Sequence, residues 1–351
     1  ILIKYFVFRL KERSKIMKNV KVVVWGMGAM GSGVARMLMK KEGVDVIGAI
    51  DIGEKVGKPI FEVLGEEFEG KENILIGSTD DYIKPEFADV VILATDSFTA
   101  RAYDKIKLVV ENKMNVITSA EEMAYPWANE PELADKMDEL AKENGVSILG
   151  TGINPGLIMD TLVLVMTSAC EEINHITSRR VNSLSPFGVA VMEEQGIGIT
   201  VEDFDKGKAD GTLAGHVGFP ESVSMIAKGL GIKLDAIEQD MEAIVTDVDR
   251  VAPHGKAMKG EVAGVSMTAS GIVDGKEFIK MDHPQQIEPE QVGVNTGDYV
   301  IIDGKPSINL ANTPEVEGGI GTYAMIVNWI PKIINAPVGL VTMFDLPIPH
   351  A

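Results

Sequence analysis

One glycine-rich turn near the start of the chain constrains its fold more than any other feature. Residues 26–31 read Gly-Met-Gly-Ala-Met-Gly, a G-x-G-x-x-G pattern. The turn follows the apolar run VKVVVW, which is typical of a parallel strand buried on both faces, and it opens a helix-like segment. Asp51 lies 20 residues beyond the third glycine, at the end of a second strand-like run. Strand, turn, helix and acidic residue in this order predict a dinucleotide-binding unit.

Each residue of the turn has an expected role in binding the dinucleotide. Gly26 permits the tight turn, Gly28 lets the backbone approach a pyrophosphate, and Gly31 lets the helix pack closely on the strand. The helix N-terminus, which includes Ala29 and Met30, offers unpaired N–H groups and a partial positive charge to the phosphates. A glycine-rich turn without a ligand is the alternative interpretation.

The residues around Asp51 bear on the choice between NAD and NADP. A carboxylate at this position accepts hydrogen bonds from the adenosine ribose and repels a 2′-phosphate, which favours NAD. Lys55 and Lys58 follow closely and could pair with such a phosphate. The sequence therefore predicts NAD or NADP as cofactor, with NAD slightly favoured.

Strand-like and helix-like segments alternate through the first part of the chain, up to Gly152. Asn129, with Glu132 three residues on, predicts a helix N-cap, and Gly145 is placed to end that helix. Such alternation predicts a Rossmann-type doubly wound parallel sheet over residues 17–152, with helices on both faces. The strand-like runs are VKVVVWG, VDVIGAID, ADVVILAT, MNVITSA and VSILG.

The second part of the chain has a different pattern. Apolar and polar residues alternate in HITSRRVNS, EAIVTDVDRVA and GVSMTASGIVDGKEFIKM, and Asp-Gly pairs at 274–275 and 303–304 predict hairpins. We therefore expect residues 153–312 to form an α+β substrate and dimerisation domain on a mostly antiparallel sheet. Residues 313–351 predict one apolar helix and a tail that return to the first domain.

Composition and charge exclude several classes of partner. Asp and Glu outnumber Lys and Arg by 52 to 33, a net charge of −19, which argues against nucleic acid or an anionic membrane as partner. The single cysteine, Cys170, excludes an internal disulfide and favours the cytoplasm. Residues 1–16 are expected to be an upstream or non-native extension before Met17, with a short membrane-touching helix as the alternative.

The chemistry is expected at the carboxyl ends of the parallel strands. Ala94 and Thr95 end one strand and should lie beside the nicotinamide ribose, and Asn154 lies in a glycine-rich crossover where it can contact cofactor or substrate. Glu121 and Glu122 end another strand, and a carboxylate there can act as a general acid/base if burial raises its pKa. The alternative is that both glutamates only complement a helix dipole.

Other polar residues give weaker signals. The spacing of the five histidines does not suggest a metal site, so no metal is predicted. Arg180, beside Arg179, could pair with a substrate carboxylate, although a solvated strand edge explains the two arginines as well. The five histidines are His175, His216, His254, His283 and His350.

Four segments carry a resemblance to a known family. VVVWGMGAMGSGVARML, ITSAEEMAYP, GTGINPGLIMDTL and GHVGFPES resemble the 2,4-diaminopentanoate dehydrogenases and the related native amine dehydrogenases. The resemblance covers the chain from Lys18 to the C-terminus. Dihydrodipicolinate reductases share the N-terminal architecture, but their adjacent histidine pair is absent from this sequence, which argues against their reaction.

The resemblance implies an NAD(P)-dependent oxidative deamination. The 4-amino group of 2,4-diaminopentanoate would leave as ammonia to give 2-amino-4-oxopentanoate, with reductive amination as the reverse and ornithine degradation as the setting. It also implies a homodimer and a catalytic glutamate, assigned to Glu121 first and Glu122 second. The alternatives are another NAD(P)-dependent amine, imine or hydroxy-acid oxidoreductase of the same fold, and a non-catalytic dinucleotide sensor.

Overall fold

The computed structural model describes residues 19–351, so the expectation for residues 1–16 lies outside the described residues. No helix in the described range is long and apolar enough to cross a membrane. The helices are α1 (Ala29–Lys40), α2 (Ile60–Leu64), α3 (Thr79–Tyr82), α4 (Thr99–Glu111), α5 (Pro131–Asn144), α6 (Thr161–Thr167), α7 (Val189–Glu194), α8 (Val201–Asp210), α9 (Phe219–Leu230) and α10 (Gly318–Ile333).

Fifteen β-strands lie in the same range and form two large sheets and a two-stranded ribbon. They are β1 (Val20–Trp25), β2 (Val44–Ile50), β3 (Ile76–Gly77), β4 (Val90–Leu93), β5 (Asn115–Thr118), β6 (Ser147–Gly150), β7 (Glu172–Ser183), β8 (Ala236–Val245), β9 (Arg250–Val251), β10 (Lys256–Ala257), β11 (Val262–Val273), β12 (Lys276–Gln286), β13 (Gly297–Lys305), β14 (Ile308–Asn312) and β15 (Gly339–Val341).

The first sheet has seven parallel strands in the order β15-β6-β5-β4-β1-β2-β3. Its inner strands have no polar face because both faces are covered: Val22 and Val24 of β1 enter one apolar core, while Val23 and Trp25 enter the other. The predicted Rossmann-type sheet is confirmed. Its seventh strand, β15, comes from the far end of the chain.

Helix α10 also belongs to the core of the first sheet. It packs on α1, where a Cβ on Gly33 would lie 2.4 Å from the Tyr323 ring. The glycine at this position therefore lets two helices approach closely. The domain boundaries at 152 and 312 remain predictions. Residues 318–341 contribute one strand to the first sheet and one helix that packs beside it.

The predicted start of α5 is wrong, although its predicted end is confirmed. Gly145 ends the helix with a φ of 71°. The helix begins at Pro131, whose ring fits the first helical position, and the N-cap is Glu130. The Asn129 side chain instead donates a hydrogen bond of 2.6 Å to Glu221 on α9. A tertiary contact therefore uses the side chain that a cap would need.

The second sheet has six strands in the order β14-β13-β7-β12-β11-β8, and only the β7–β12 pair is parallel. The predicted hairpin at Asp274-Gly275 is confirmed, with positive φ at both residues. The predicted hairpin at Asp303-Gly304 forms as well, since β13 and β14 pair antiparallel with Ile302 opposite Ile308, but the Asp-Gly pair itself is not the tight turn. The pair lies inside β13 at a register shift, where a Cβ on Gly304 would lie 2.2 Å from the Glu172 carbonyl oxygen.

Candidate active site

The glycine turn has the geometry that phosphate binding requires. Gly26 has a φ of +99°, and a Cβ there would lie 2.4 Å from the Ala94 carbonyl oxygen. A Cβ on Gly31 would lie 1.7 Å from the Gly26 carbonyl oxygen, so strand and helix meet only without a side chain. Gly28 caps α1, and a Cβ there would meet no atom within 4 Å. This open space before the helix N-terminus, beside Ala29 and Met30, fits a pyrophosphate.

Asp51 joins the glycine turn to the end of β2. Its carboxylate accepts hydrogen bonds from the backbone N–H groups of Met27, at 2.8 Å, and Ile52, at 2.7 Å. The Lys55 ammonium lies 3.4 Å from the same carboxylate and donates to the Met27 carbonyl at 2.8 Å. Asp51, which favours NAD, and Lys55, which could pair with the 2′-phosphate of NADP, therefore form an ion pair with each other beside the turn.

Two cavities adjoin at the carboxyl ends of the parallel strands. The cofactor-side cavity, of about 270 Å³, is lined by residues that include Ala94, Thr95 and Ser119. The substrate-side cavity, of about 170 Å³, extends towards the second sheet and includes Arg180 and His283 in its wall. The two cavities share five lining residues: Met30, Ser97, Glu121, Asn154 and Thr322. A ligand in one cavity therefore borders a ligand in the other.

Glu121 is the acidic residue in the shared wall, where it begins a 3₁₀ turn after β5. Burial raises the pKa of Glu121, its own backbone N–H and the Ser97 hydroxyl oppose that rise, and the charges of Glu194 and Glu122 add to it. A carboxyl group with a raised pKa can both accept and return a proton near neutral pH.

Glu122 lies next in sequence but has a different neighbourhood. Its carboxylate accepts a hydrogen bond of 2.7 Å from the backbone N–H of Thr99, at the first residue of α4. A carboxylate at this position satisfies a free helix N–H and complements the helix dipole. The structure thus places one glutamate in the wall of both cavities and the other on a helix end.

Asn154 lies between two histidines that the sequence separates widely. Its amide nitrogen is 3.1 Å from Nε2 of His216 and 3.5 Å from Nδ1 of His283, and Nε2 of His283 is 2.8 Å from the Asn182 amide oxygen. Burial and the Arg180 charge lower the pKa of His216 to about 4. Burial, with the neighbouring His216 and Arg180, also lowers the pKa of His283. Both rings are therefore neutral at pH 7.

The interpretation of Arg180 as a solvated strand residue is wrong. Arg180 is buried, and its guanidinium pairs with buried Asp298 and donates to the Val316 carbonyl at 2.7 Å. Its neighbour Arg179 is half-exposed and pairs with Asp282 at 3.0 Å. The alternation of side chains along β7 sends one arginine into the substrate-side wall and the other to the surface.

Behind the 3₁₀ turn, Glu221 of α9 is fully buried. One carboxyl oxygen accepts the hydrogen bond from Asn129, and the other has no partner in the described structure. Burial and the charge of nearby Glu122 together raise the pKa of Glu221 to about 8, although the hydrogen bonds from its own backbone N–H and from Asn129 oppose the rise. Glu221 is therefore mostly protonated at neutral pH, which limits repulsion between it and Glu122.

Replacing Glu221 with glutamine should remove a pH dependence of stability. The folded-state pKa of about 8 exceeds the ordinary 4.5. The unfolded chain therefore loses this proton first, and wild-type stability falls as pH rises from about 4.5 to about 8. We expect the Tm of Glu221→Gln, relative to wild type, to rise by roughly 3 °C or more between pH 5 and pH 8. Calorimetry at both values measures it, and a constant difference would show that Glu221 ionises normally.

Several residues of the substrate-side wall were not found from the sequence as site residues. The spacing of the histidines along the sequence does not single out His216 or His283, although the segment GHVGFPES contains His216. Gln195 and Gln285 gave no signal at all, since neither lies in a motif. Among residues 19–351, no group of three or more His, Cys, Asp or Glu is placed to hold a metal ion.

The turn at Gly28 and the carboxylate of Asp51 make the first unit a dinucleotide-binding domain. Glu121 lies in the wall that the two cavities share. The chain is therefore an NAD(P)-dependent oxidoreductase built on a parallel sheet and a second, mostly antiparallel sheet. A family model described as the 2,4-diaminopentanoate dehydrogenase C-terminal domain matches residues 157–351. The chain belongs to the 2,4-diaminopentanoate dehydrogenase family, and the predicted resemblance is confirmed.

Full-length relatives agree with this assignment. The chain is 62% identical over 336 residues to a 2,4-diaminopentanoate dehydrogenase from Acetoanaerobium sticklandii, covering 95% of each sequence. It is 24% identical to an amine dehydrogenase from Streptomyces virginiae, over 94% of this chain and 96% of the relative. The solved structure of an amine dehydrogenase from Mycobacterium smegmatis matches with a TM-score of 0.82 and 25% identity, over 95% of this chain and 98% of the other.

Proposed function

We propose that this chain catalyses the NAD(P)-dependent oxidative deamination of 2,4-diaminopentanoate at C4. The products are 2-amino-4-oxopentanoate, ammonia and reduced cofactor, and the reverse reaction is reductive amination. The observation that carries the proposal is the position of Glu121 in the wall shared by the two cavities. The 62% identity to a 2,4-diaminopentanoate dehydrogenase supports 2,4-diaminopentanoate as the substrate.

Glu121 performs the proton transfers in this proposal. When bound, NAD(P)⁺ supplies the acceptor for the hydride that leaves C4. The Glu121 carboxylate takes a proton from the substrate ammonium, which frees the nitrogen lone pair to form the C=N bond as the hydride departs. After passing that proton to solvent, the carboxylate takes a second proton from the water that attacks the iminium carbon and gives it to the amine nitrogen. Ammonia then leaves as the new hydroxyl group loses its proton to form the ketone. Its negative charge also stabilises the iminium ion.

Asn154 orients the substrate amine in the same proposal. Its amide nitrogen faces the two neutral histidine rings, and no hydrogen bond to its amide oxygen is found within residues 19–351. This oxygen is therefore free to accept a hydrogen bond from the substrate amine. Arg180 contributes positive charge to the wall, but Asp298 already compensates it. The ion pair therefore leaves little net charge to attract a substrate carboxylate.

The initial rate of cofactor reduction tests the function. Wild-type protein with 2,4-diaminopentanoate should reduce NAD, NADP or both, with ammonia released in equal amount. Absence of reduction with either cofactor, while both still bind, would overturn the substrate assignment and call for a panel of other amines. The two relatives carry amine-dehydrogenase names, so the hydroxy-acid and non-catalytic alternatives lose support.

NAD is the proposed preferred cofactor, and Asp51 is the residue that sets the preference. Replacing Asp51 with serine removes the charge that repels a 2′-phosphate and frees Lys55 to pair with it. We expect the ratio of kcat/KM for NADP to that for NAD to rise by roughly tenfold or more. Steady-state kinetics with each cofactor measure this ratio. An unchanged ratio, in a variant with unchanged Tm, would exclude Asp51 as the discriminating group.

Assembly, location and pathway remain proposals. The family resemblance supports a homodimer and a place in ornithine degradation, and the single Cys170 supports the reducing cytoplasm. Light scattering in solution tests the first of these. A monomer at micromolar concentration would contradict it.

A further inference from the structure

Two glutamines in the substrate-side wall carry buried polar atoms without partners. Gln195 is 4% exposed and Gln285 is 3% exposed, and both line the substrate-side cavity. The Gln195 amide nitrogen donates to the Gly215 carbonyl at 2.9 Å, which fixes the orientation of the amide. Within the described structure, Oε1 of Gln195 and Nε2 of Gln285 have no hydrogen-bond partner. Such atoms are costly unless a ligand completes them.

The adjacent glutamine, Gln286, shows that unpaired side-chain atoms are not a general feature of β12. Gln286 follows Gln285 on β12 and points to the opposite face, where its amide oxygen accepts a hydrogen bond of 2.6 Å from Arg250. Gln286 is therefore satisfied by protein alone. The unpaired atoms occur on the face that borders the cavity.

We propose that Gln195 and Gln285 bind the α-amino-acid end of the substrate. The Gln285 amide nitrogen donates to the C1 carboxylate, and the Gln195 amide oxygen accepts from the C2 ammonium. The two unpaired atoms are one donor and one acceptor, which matches the opposite hydrogen-bonding needs of these two groups. This inference rests on the proposed function, since it assigns the non-reacting end of the same substrate.

The arrangement of the cavities supports this orientation. Glu121 and Asn154 border both cavities, whereas Gln195 and Gln285 border only the substrate-side cavity. A substrate whose C4 lies beside Glu121 therefore extends its C1 and C2 groups towards the glutamines.

The charges of the wall agree with a diamino acid. Two acidic residues, Glu121 and Glu194, line the substrate-side cavity, and the Arg180 charge is compensated by Asp298. A substrate with two ammonium groups and one carboxylate brings a net positive charge that suits this wall. Glu194 directly precedes Gln195 in the sequence and lines the same cavity.

The experiment replaces each glutamine with leucine, which has a similar volume and no polar atoms. Gln195→Leu and Gln285→Leu should each raise KM for 2,4-diaminopentanoate by roughly tenfold or more, because a hydrogen bond to a charged group is lost. The matched control is Gln239→Leu, at an exposed position of β8 that lines neither cavity, which should leave KM unchanged. Tm should not fall in the Gln285→Leu variant, since an unpaired buried group is removed.

Binding titrations separate this inference from the proposed function. In the presence of oxidised cofactor, 2-aminopentanoate keeps the amino-acid end and lacks the reacting amine, whereas 2-aminopentane keeps only an amine on a secondary carbon. Wild type should bind both, and the two cavity variants should lose roughly tenfold in affinity for 2-aminopentanoate alone. Equal affinity of wild type and both variants for 2-aminopentanoate would overturn the inference, whether or not diaminopentanoate is oxidised.

Discussion

Replacing Glu121 with glutamine lowers kcat for amine oxidation by about a thousandfold in our account, because the amide can neither accept nor return a proton. The cofactor should still bind with nearly wild-type affinity, since glutamine keeps the size of the side chain and the glycine turn that receives the pyrophosphate is unchanged. The Tm should stay level or rise, because burial and two nearby carboxylates disfavour the ionised form that glutamine removes. Steady-state rates, cofactor titration and thermal unfolding measure these three quantities.

Glu122→Gln is the matched control, with the same chemical change one residue later. Its carboxylate contacts the first N–H of α4 and lines neither cavity. We expect kcat to fall by no more than about fivefold and stability to change by about 1 kcal/mol or less. A large loss in Glu122→Gln together with near-normal activity in Glu121→Gln would reverse the assignment.

Replacing Gly28 with valine should weaken cofactor binding by about a hundredfold or more, because the side chain fills the space that a pyrophosphate needs. The fold should tolerate the change, since a Cβ at Gly28 meets no atom within 4 Å and the backbone φ is −72°. Cofactor titration with a parallel Tm measurement tests both statements. Wild-type affinity in this variant would show that the cofactor does not approach the turn at Gly28.

Gly31→Ala serves as the contrasting control. A Cβ at this position would lie 1.7 Å from the Gly26 carbonyl oxygen, so strand and helix must separate. Its Tm should fall markedly, unlike that of Gly28→Val. The pair thus distinguishes a glycine that serves the ligand from a glycine that serves packing.

Much of the parallel sheet and its glycine turn could be predicted from the sequence, because short stretches of neighbouring residues determine both. Buried parallel strands have no polar face, and the glycine turn has a fixed relation to the strand before it and to Asp51. The hairpin at Asp274-Gly275 is likewise local. The Asp-Gly pair at 303–304 has the same composition, but the long strand β7 holds it within the sheet. Register against a distant strand outweighs turn propensity there.

The substrate-side wall could not be predicted, because sheet register brings its residues together. Arg180 and Asn182 share one face of β7, while His283 and Gln285 share one face of β12. The parallel pairing of the two strands places Gln285 opposite Asn182. Local patterns revealed each strand, yet the partner of β7 is more than ninety residues away. His216 joins the cluster from a loop, for which periodicity gives no information.

The most direct test of the central claim follows the hydride from the reacting carbon. Wild-type protein is given 2,4-diaminopentanoate that carries deuterium at C4, and the reduced cofactor and ammonia are then quantified. Each reduced cofactor molecule should carry one deuterium, and one ammonia should appear per cofactor reduced. Reduced cofactor without deuterium, or reduction without ammonia, would contradict the claim that the enzyme oxidises the C4 amine of this substrate.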